Sequence, residues 1–236
     1  MRRDNGFTLA EVLVTLGIIG IVAAMTLPSV IRTYKRIVLE NRFKKTSAIL
    51  EAALQSTMIE FGTEYLLTKE TNRKYVKNRI SDIERNNIND YFATRLKVGH
   101  HLKLKLANEG ADTISHEANL KKVYAYKSGN IVGILYLYNA FHSNAYLLPD
   151  GSVISDINFQ THGVYDGMKV TIDTNGPFKG PNRYGYDIFI YDSGGWNADK
   201  CGSGDREHDH YGCYKYAAGD RSPDDKSKGY WKSLDI

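Results

Sequence analysis

The order of apolar and polar positions divides the chain into unlike stretches. From Val12 to Ile31 twenty residues pass without a charge, reading VLVTLGIIGIVAAMTLPSVI. As a helix rising about 1.5 Å per residue, this run spans about 30 Å, the depth of a bilayer's hydrocarbon core. Beyond Arg32 the run becomes periodic. Tyr34, Ile37, Val38, Leu50, Leu54, Met58 and Phe61 recur at spacings of three and four, and Lys35, Arg36, Glu40, Arg42, Lys44 and Lys45 fill the other faces. That spacing predicts an amphipathic helix continuing the membrane segment to about Phe61, with Gly62 as its stop. A straight helix over residues 7–61 would be about 80 Å long. Further on, Ser81 as an N-cap with Ile83, Ile88, Phe92 and Leu96 predicts one or two short helices. The basic stretch from Lys97 to Lys105, KVGHHLKLK, is a candidate for contact with phosphates or acidic lipid, against the simpler reading of a solvated loop face. From Val123 the period becomes two. IVGILYLYN, NAYLL, SVISDIN, KVTIDTNG and YDIFIYDS read as strands, and Asp150-Gly151 between apolar runs predicts a hairpin. Antiparallel strands lying on a long helix make an α+β fold.

Composition and charge refine this picture. The chain has 236 residues, enough for one globular domain plus an extra element, and its 17 Tyr against 5 Pro argue against a disordered chain. Its formal charge of +4 is too near balance to imply nucleic-acid binding by bulk charge. Arg2 and Arg3 precede the apolar run, and basic flanks stay cytoplasmic, so everything after Arg32 is expected outside. A secretory signal peptide would have a shorter apolar core ending in a small-residue cleavage site, whereas here the run passes straight into an amphipathic helix. A plain signal anchor accounts for length and orientation but leaves Glu11 unexplained. A carboxylate in an apolar zone is unfavourable unless paired, and an ionisable residue there points to function.

At this point the residues carry a family resemblance. GFTLAEVLVTLGIIGIVAAMTLP, residues 6–28, resembles the N-terminal segment of type IV pilins and of type II secretion pseudopilins. The resemblance implies that a prepilin peptidase cuts between Gly6 and Phe7 and N-methylates Phe7. Glu11 then stands fifth in the mature chain, where the family has its Glu, and Pro28 stands at the family's helix-kinking proline. Cleavage leaves a positive amine on Phe7 at the membrane-embedded end of a helix. Opposite charges attract strongly at low dielectric. Within one subunit Glu11 lies one helical turn from this amine; between subunits, the resemblance implies that it receives the amine of a neighbour, a pairing that would set the axial register of stacked helices. Gly17 and Gly20 either permit close helix approach or are merely tolerated in an apolar helix. The stretch TIDTNGPFKGPNRYGYDIF also resembles the C-terminal domains of pilin-like proteins.

The expected organisation is a leader at 1–6, the membrane and assembly half of the helix at 7–31, and a periplasmic or extracellular head at 32–236. The head divides into the amphipathic helix 32–61, a helical and loop region 62–120, and an antiparallel sheet with a C-terminal loop at 121–236. The family implies a non-enzymatic structural subunit, a pilin or pseudopilin of either the abundant or the minor kind, held in the inner membrane and assembled into a pilus or periplasmic pseudopilus. Its implied partners are copies of itself, other pilins, the prepilin peptidase, membrane lipid and an inner-membrane platform. The alternative is a minor pilin whose head binds DNA or a surface through residues such as Lys103, Lys105, Tyr211 and Tyr214. Scattered His and the absence of Gly-x-Ser-x-Gly or a phosphate-binding Gly-rich loop speak against catalysis. A membrane-anchored enzyme sharing the leader would need a concave site with perturbed titratable groups. Cys201 and Cys213 are expected to form a disulfide if the head lies outside the cytoplasm; with His208 and His210 they alternatively make a zinc set, though at no familiar finger spacing. Asp173 and Asn175 are candidate calcium ligands, because some pseudopilins hold calcium near their C-terminal loops, while a self-satisfied Asn-Gly turn is the simpler reading. No cofactor is expected.

Overall fold

A computed structural model describes residues 8–61, 82–96, 100–102, 122–124, 126–134, 145–162, 165–192, 199–202, 204 and 207–236. The leader, Gly6 and Phe7, most of 62–120 and the continuation of IVGILYLYN past Ile134 lie outside the described residues, as do Lys103 and Lys105.

Helix α1, Leu9–Phe61, is unbroken over 53 residues. Its length is about 80 Å. Pro28 sits inside it, and the helix runs through without the local melting that a missing N–H suggests. The second half buries Leu39, Phe43, Thr46, Ser47, Leu50, Ala53, Leu54 and Thr57. This corrects the expected stripe. Tyr34 and Ile37 are exposed, and small hydroxyl residues share the buried face with Leu and Phe. Thr57 fits there because its hydroxyl donates to the Ala53 carbonyl at 2.8 Å, satisfying itself within the helix.

Helix α2, Asp82–Arg95, packs beside α1 and buries Ile88 and Phe92, with Leu96 just past its end, as the spacing predicted. The strands are β1 His100–Leu102, β2 Lys122–Tyr124, β3 Ile131–Ile134, β4 Ala145–Leu147, β5 Val153–His162, β6 Tyr165–Asp173 and β7 Ile188–Asp192. Five of them form an antiparallel sheet in the order β1-β4-β5-β6-β7, while β2 and β3 pair as a separate ribbon. β1 falls in the basic stretch expected to be loop. The β4–β5 hairpin turns on Asp150-Gly151 as predicted: Leu148 and Ser152 close the turn, and Gly151 takes φ 88°.

Alternation sorts the sheet's faces. Met168, Val170 and Ile172 of β6 and Phe189 of β7 join the core shared with α1, whereas Ile188 and Ile190 are buried on the opposite side. Phe43 anchors the core, 4.5 Å from the Phe189 ring, 5.2 Å from Tyr214 and 5.4 Å from Trp231. The last two belong to elements that the sequence reading took for loop: helices α3, Cys213–Ala218, and α4, Tyr230–Ser233. Tyr230 and Trp231 are among the largest fully buried side chains. The C-terminal segment is therefore core. Polar clamps fasten α1 to the head: Arg36 donates to the Leu234 carbonyl at 2.7 and 3.2 Å, Lys45 pairs with Asp150 at 2.9 Å, and the Tyr214 hydroxyl donates to Glu51 at 2.9 Å. Burial, together with Glu51, raises the Tyr214 hydroxyl's pKa, so it stays a donor.

Candidate functional site

Among the described residues, the apolar first half of α1 is not buried by any other part of the chain. Its most apolar window has mean hydropathy 2.2 and is wholly unburied. Leu9, Leu13, Leu16, Ile19 and Met25 are 60–78% exposed. An all-round apolar helix of this length needs lipid or other helices around it. The hydroxyls within it are turned inward: Thr15, Thr26 and Thr33 donate to the carbonyls of Val12, Val22 and Ser29 at 2.9–3.0 Å. A Cβ built on Gly17 or Gly20 would meet nothing within 4 Å, so any close approach they serve is to another molecule.

Glu11 has a local role that sequence reading passed over. Thr8 immediately precedes the helix, and both its N–H and its hydroxyl donate to Glu11 Oε2 at 2.8 Å, while the Glu11 N–H donates back to the Thr8 hydroxyl at 3.3 Å. Thr-x-x-Glu before an apolar run is the signature of a capping box, and it stood in the sequence as TLAE. The side chain that the family resemblance assigns to intersubunit pairing thus already satisfies helix-end donors in the single chain.

The β6–β7 connection gathers the second cluster. Asp173 Oδ1 accepts from the N–H groups of Asn175 at 3.2 Å and Gly176 at 2.8 Å, the self-satisfied Asx turn. Fourteen residues later, Asp187 accepts from the Asn182 N–H at 2.8 Å and the Arg183 N–H at 2.7 Å. The side-chain amides of Asn175 and Asn182 donate to the carbonyls of Gly180 and Pro177. Both carboxyls are almost wholly buried. Burial and then the neighbouring Asp187 push Asp173 up to about 8, and burial lifts Asp187 to about 6 against the N–H donors that lower it. Asp173 Oδ2, Thr174 Oγ1, Asn175 Oδ1 and Asn182 Oδ1 are buried oxygens without a hydrogen-bond partner among the described residues. Their chemistry suits a proton on Asp173 or a hard cation such as calcium. Only Asp173 and Asn175 were singled out from sequence. Asp187 was missed because the loop from Gly176 to Tyr186, not spacing, brings it to Asp173.

Cys201 and Cys213 are joined in a disulfide, S–S 2.09 Å, which leaves no thiolate for zinc. His210 is buried and stacks 5.0 Å from Tyr184. Tyr211 and Tyr214, offered as exposed aromatics for DNA, are each only 7% exposed and belong to the core around this disulfide.

No curated protein and no solved structure matches the chain. A family model does match at the N-terminus. Residues 1–27 carry the prokaryotic N-terminal methylation motif, the signal of type IV pilins and pseudopilins, on a chain whose long apolar helix runs into an α+β, pilin-like head.

Proposed function

We propose that this chain is a structural subunit, a pilin or pseudopilin, of a type IV pilus or a type II secretion-type filament. One observation carries the reading: the methylation motif over residues 1–27 overlaps a helix, from Leu9, whose apolar half is unburied by the other described residues and whose only acid in that zone, Glu11, stands at its start. Residues 1–6 are the leader, 7–31 the membrane and assembly segment, and 32–236 the head. Prepilin peptidase cuts between Gly6 and Phe7 and methylates the new amine. Until assembly the subunit rests in the inner membrane, with the N-terminus cytoplasmic and the head outside. In the filament, the Phe7 amine of one subunit meets Glu11 of its neighbour, and the apolar helices exchange lipid for each other. Partners are further copies, other pilins, the peptidase and the membrane platform.

Mass spectrometry of the N-terminal peptide tests the processing. The mature protein is expected to begin at N-methylated Phe7 in cells with the peptidase, and to retain Met1–Gly6 in cells without it. An intact leader in peptidase-proficient cells, or a cut beyond Phe7, overturns the proposal.

A further inference from the structure

Beside the first turns of its head-level half, α1 forms one wall of a groove of about 510 Å³. The helix supplies Lys35, Val38, Leu39 and Arg42, an i, i+3, i+4, i+7 stripe, and the β6–β7 connection supplies Pro181 and Arg183 opposite. The floor is apolar, and three cations stand around it against the one side-chain carboxylate of Asp235. Lys35 and Arg42 make no ion pair or side-chain hydrogen bond among the described residues, unlike Lys44 and Lys45 on the same helix, which pair with Glu40 and Asp150. Val38, Leu39 and Arg42 lie about 10–16 Å past Ile31, beyond the headgroup layer, so lipid does not reach the floor.

The far end of α1 carries the complementary shape and charge. Ile59 is 84% exposed, more than any other large apolar side chain among the described residues. It lies about 42 Å past Ile31, so no bilayer covers it. Glu60 beside it is also exposed and makes no ion pair among the described residues. The Tyr91 hydroxyl donates to it at 3.5 Å, and Arg95 of α2 donates to that same hydroxyl at 2.7 Å. One exposed Ile is ordinary on a protein surface. An apolar knob flanked by an acid, on the same chain as an apolar floor flanked by unpaired cations, is a matched pair. The knob stands about 32 Å along the axis from the groove's midpoint and about 110° round the helix from it. Two different faces at different heights make a head-to-tail contact, and one that advances along an axis builds an open filament, not a closed pair.

We propose that Ile59 and Glu60 of one copy dock in the groove of a second copy displaced about 32 Å along the helix axis. Ile59 packs on Val38, Leu39 and Pro181, and Glu60 faces Lys35 and Arg42. The proposal rests on the filament reading. Two parallel 53-residue helices so displaced still run side by side over about 30 residues, which brings knob and groove within reach. This second copy is a different neighbour from the one whose Phe7 amine meets Glu11, since that pairing spans one turn, about 6 Å. The head-level contact therefore gives the filament a spacing that its apolar helices alone do not set.

Incorporation of the full-length chain into sheared filaments, normalised to the amount inserted in the membrane, tests it by charge exchange. Glu60→Lys sets like charges against each other and should incorporate at least about tenfold less than wild type. Ile59→Ala removes the knob and should lose about as much. Both positions are exposed, so the Tm of either variant in detergent should match wild type. Adding Lys35→Glu or Arg42→Glu to Glu60→Lys in the same chain should bring incorporation back to within about threefold of wild type. That rescue requires both halves of the contact to come from copies of this chain. Wild-type incorporation by Glu60→Lys overturns the proposal, and so does failure of both second changes to rescue it. Loss in Lys35→Glu and Arg42→Glu with Glu60→Lys unaffected gives the groove to a different occupant and also overturns it. The two readings fail separately: a wild-type chain absent from filaments refutes the filament reading, and one present alongside equally incorporated variants refutes the groove contact alone.

Discussion

Replacing Phe43 with Ala tests how the head is fastened to the helix. Phe43 is 2% exposed and meets three aromatic rings, Phe189, Tyr214 and Trp231, with centroids 4.5–5.4 Å away. Those rings come from β7, α3 and α4, so one side chain joins the long helix to the sheet and to both C-terminal helices. Truncating a buried Phe to Ala costs about 3–5 kcal/mol, from lost transfer energy plus the cavity left behind. The lost ring pairs place this site in the middle or upper part of that range. For a chain of this size each kcal/mol moves Tm by about 2–4 °C, so a fall of about 8–20 °C is expected. The assay is thermal unfolding of the full-length protein in detergent, followed by near-UV circular dichroism. Ile59→Ala, at a position 84% exposed, is the control and should stay within about 0.5 kcal/mol of wild type. Membrane insertion of Phe43→Ala should be unchanged, because the apolar half of α1 is not buried by the described residues of the head. A Tm fall under about 3 °C, or one equal to that of Ile59→Ala, would refute this view of the core.

Replacing Cys201 and Cys213 with Ser opens a short loop, since the two lie 12 apart in sequence, and is expected to lower stability by about 2–3 kcal/mol in denaturant titration. Reduction of the wild type should produce a similar loss, and no difference between oxidised and reduced protein would contradict it. The buried carboxyls set a pH dependence. An acid whose folded pKa lies above its unfolded one holds its proton more tightly in the fold, so its stabilisation is complete below the unfolded value and is lost as pH rises through the folded one. With Asp187 at about 6 and Asp173 at about 8, Tm should fall as pH rises from 4 to 8. Asp173→Asn keeps the Oδ1 acceptor without the titration, so its Tm should fall less and should match or exceed wild type at pH 8. Millimolar calcium that raises Tm at pH 8 in wild type but not in Asp173→Asn would assign the unpartnered oxygens to a cation; no calcium effect would leave the proton as their partner.

What was legible in the sequence followed from periodicity. Twenty uncharged residues, the α2 spacing of Ile88, Phe92 and Leu96, and the two-residue alternation around Val170 and Ile172 all read directly, because each element's own pattern fixes it. The buried face of α1 was only half legible. Tyr34 and Ile37 looked like core because they are apolar at the right spacing, but full burial of the helix under the head begins only at Leu39. The aromatic C-terminal tail was misread because α3 and α4 are too short to show a helical period, and their place comes from packing on Phe43. The capping box at Thr8 and Glu11 is visible in four letters, TLAE, because both of its bonds are local to one turn. Asp187 was not legible at all, since its meeting with Asp173 depends on a loop path that no spacing rule gives.

The capping role of Glu11 sets up the most direct test of the central proposal, which is that this acid also meets an amine that cleavage exposes on a neighbour. A capping box accepts Gln as well as Glu, so Glu11→Gln keeps the bonds to Thr8 and loses only the charge, whereas Glu11→Ala loses both. The measurement is incorporation of each variant into sheared, pelleted filaments, normalised to the amount inserted in the membrane. Both variants are expected to insert normally and to incorporate at least about tenfold less than wild type, a loss of about 1.4 kcal/mol or more. If Glu11→Gln enters filaments as wild type does while Glu11→Ala does not, Glu11 is a helix cap and the intersubunit charge pair is refuted.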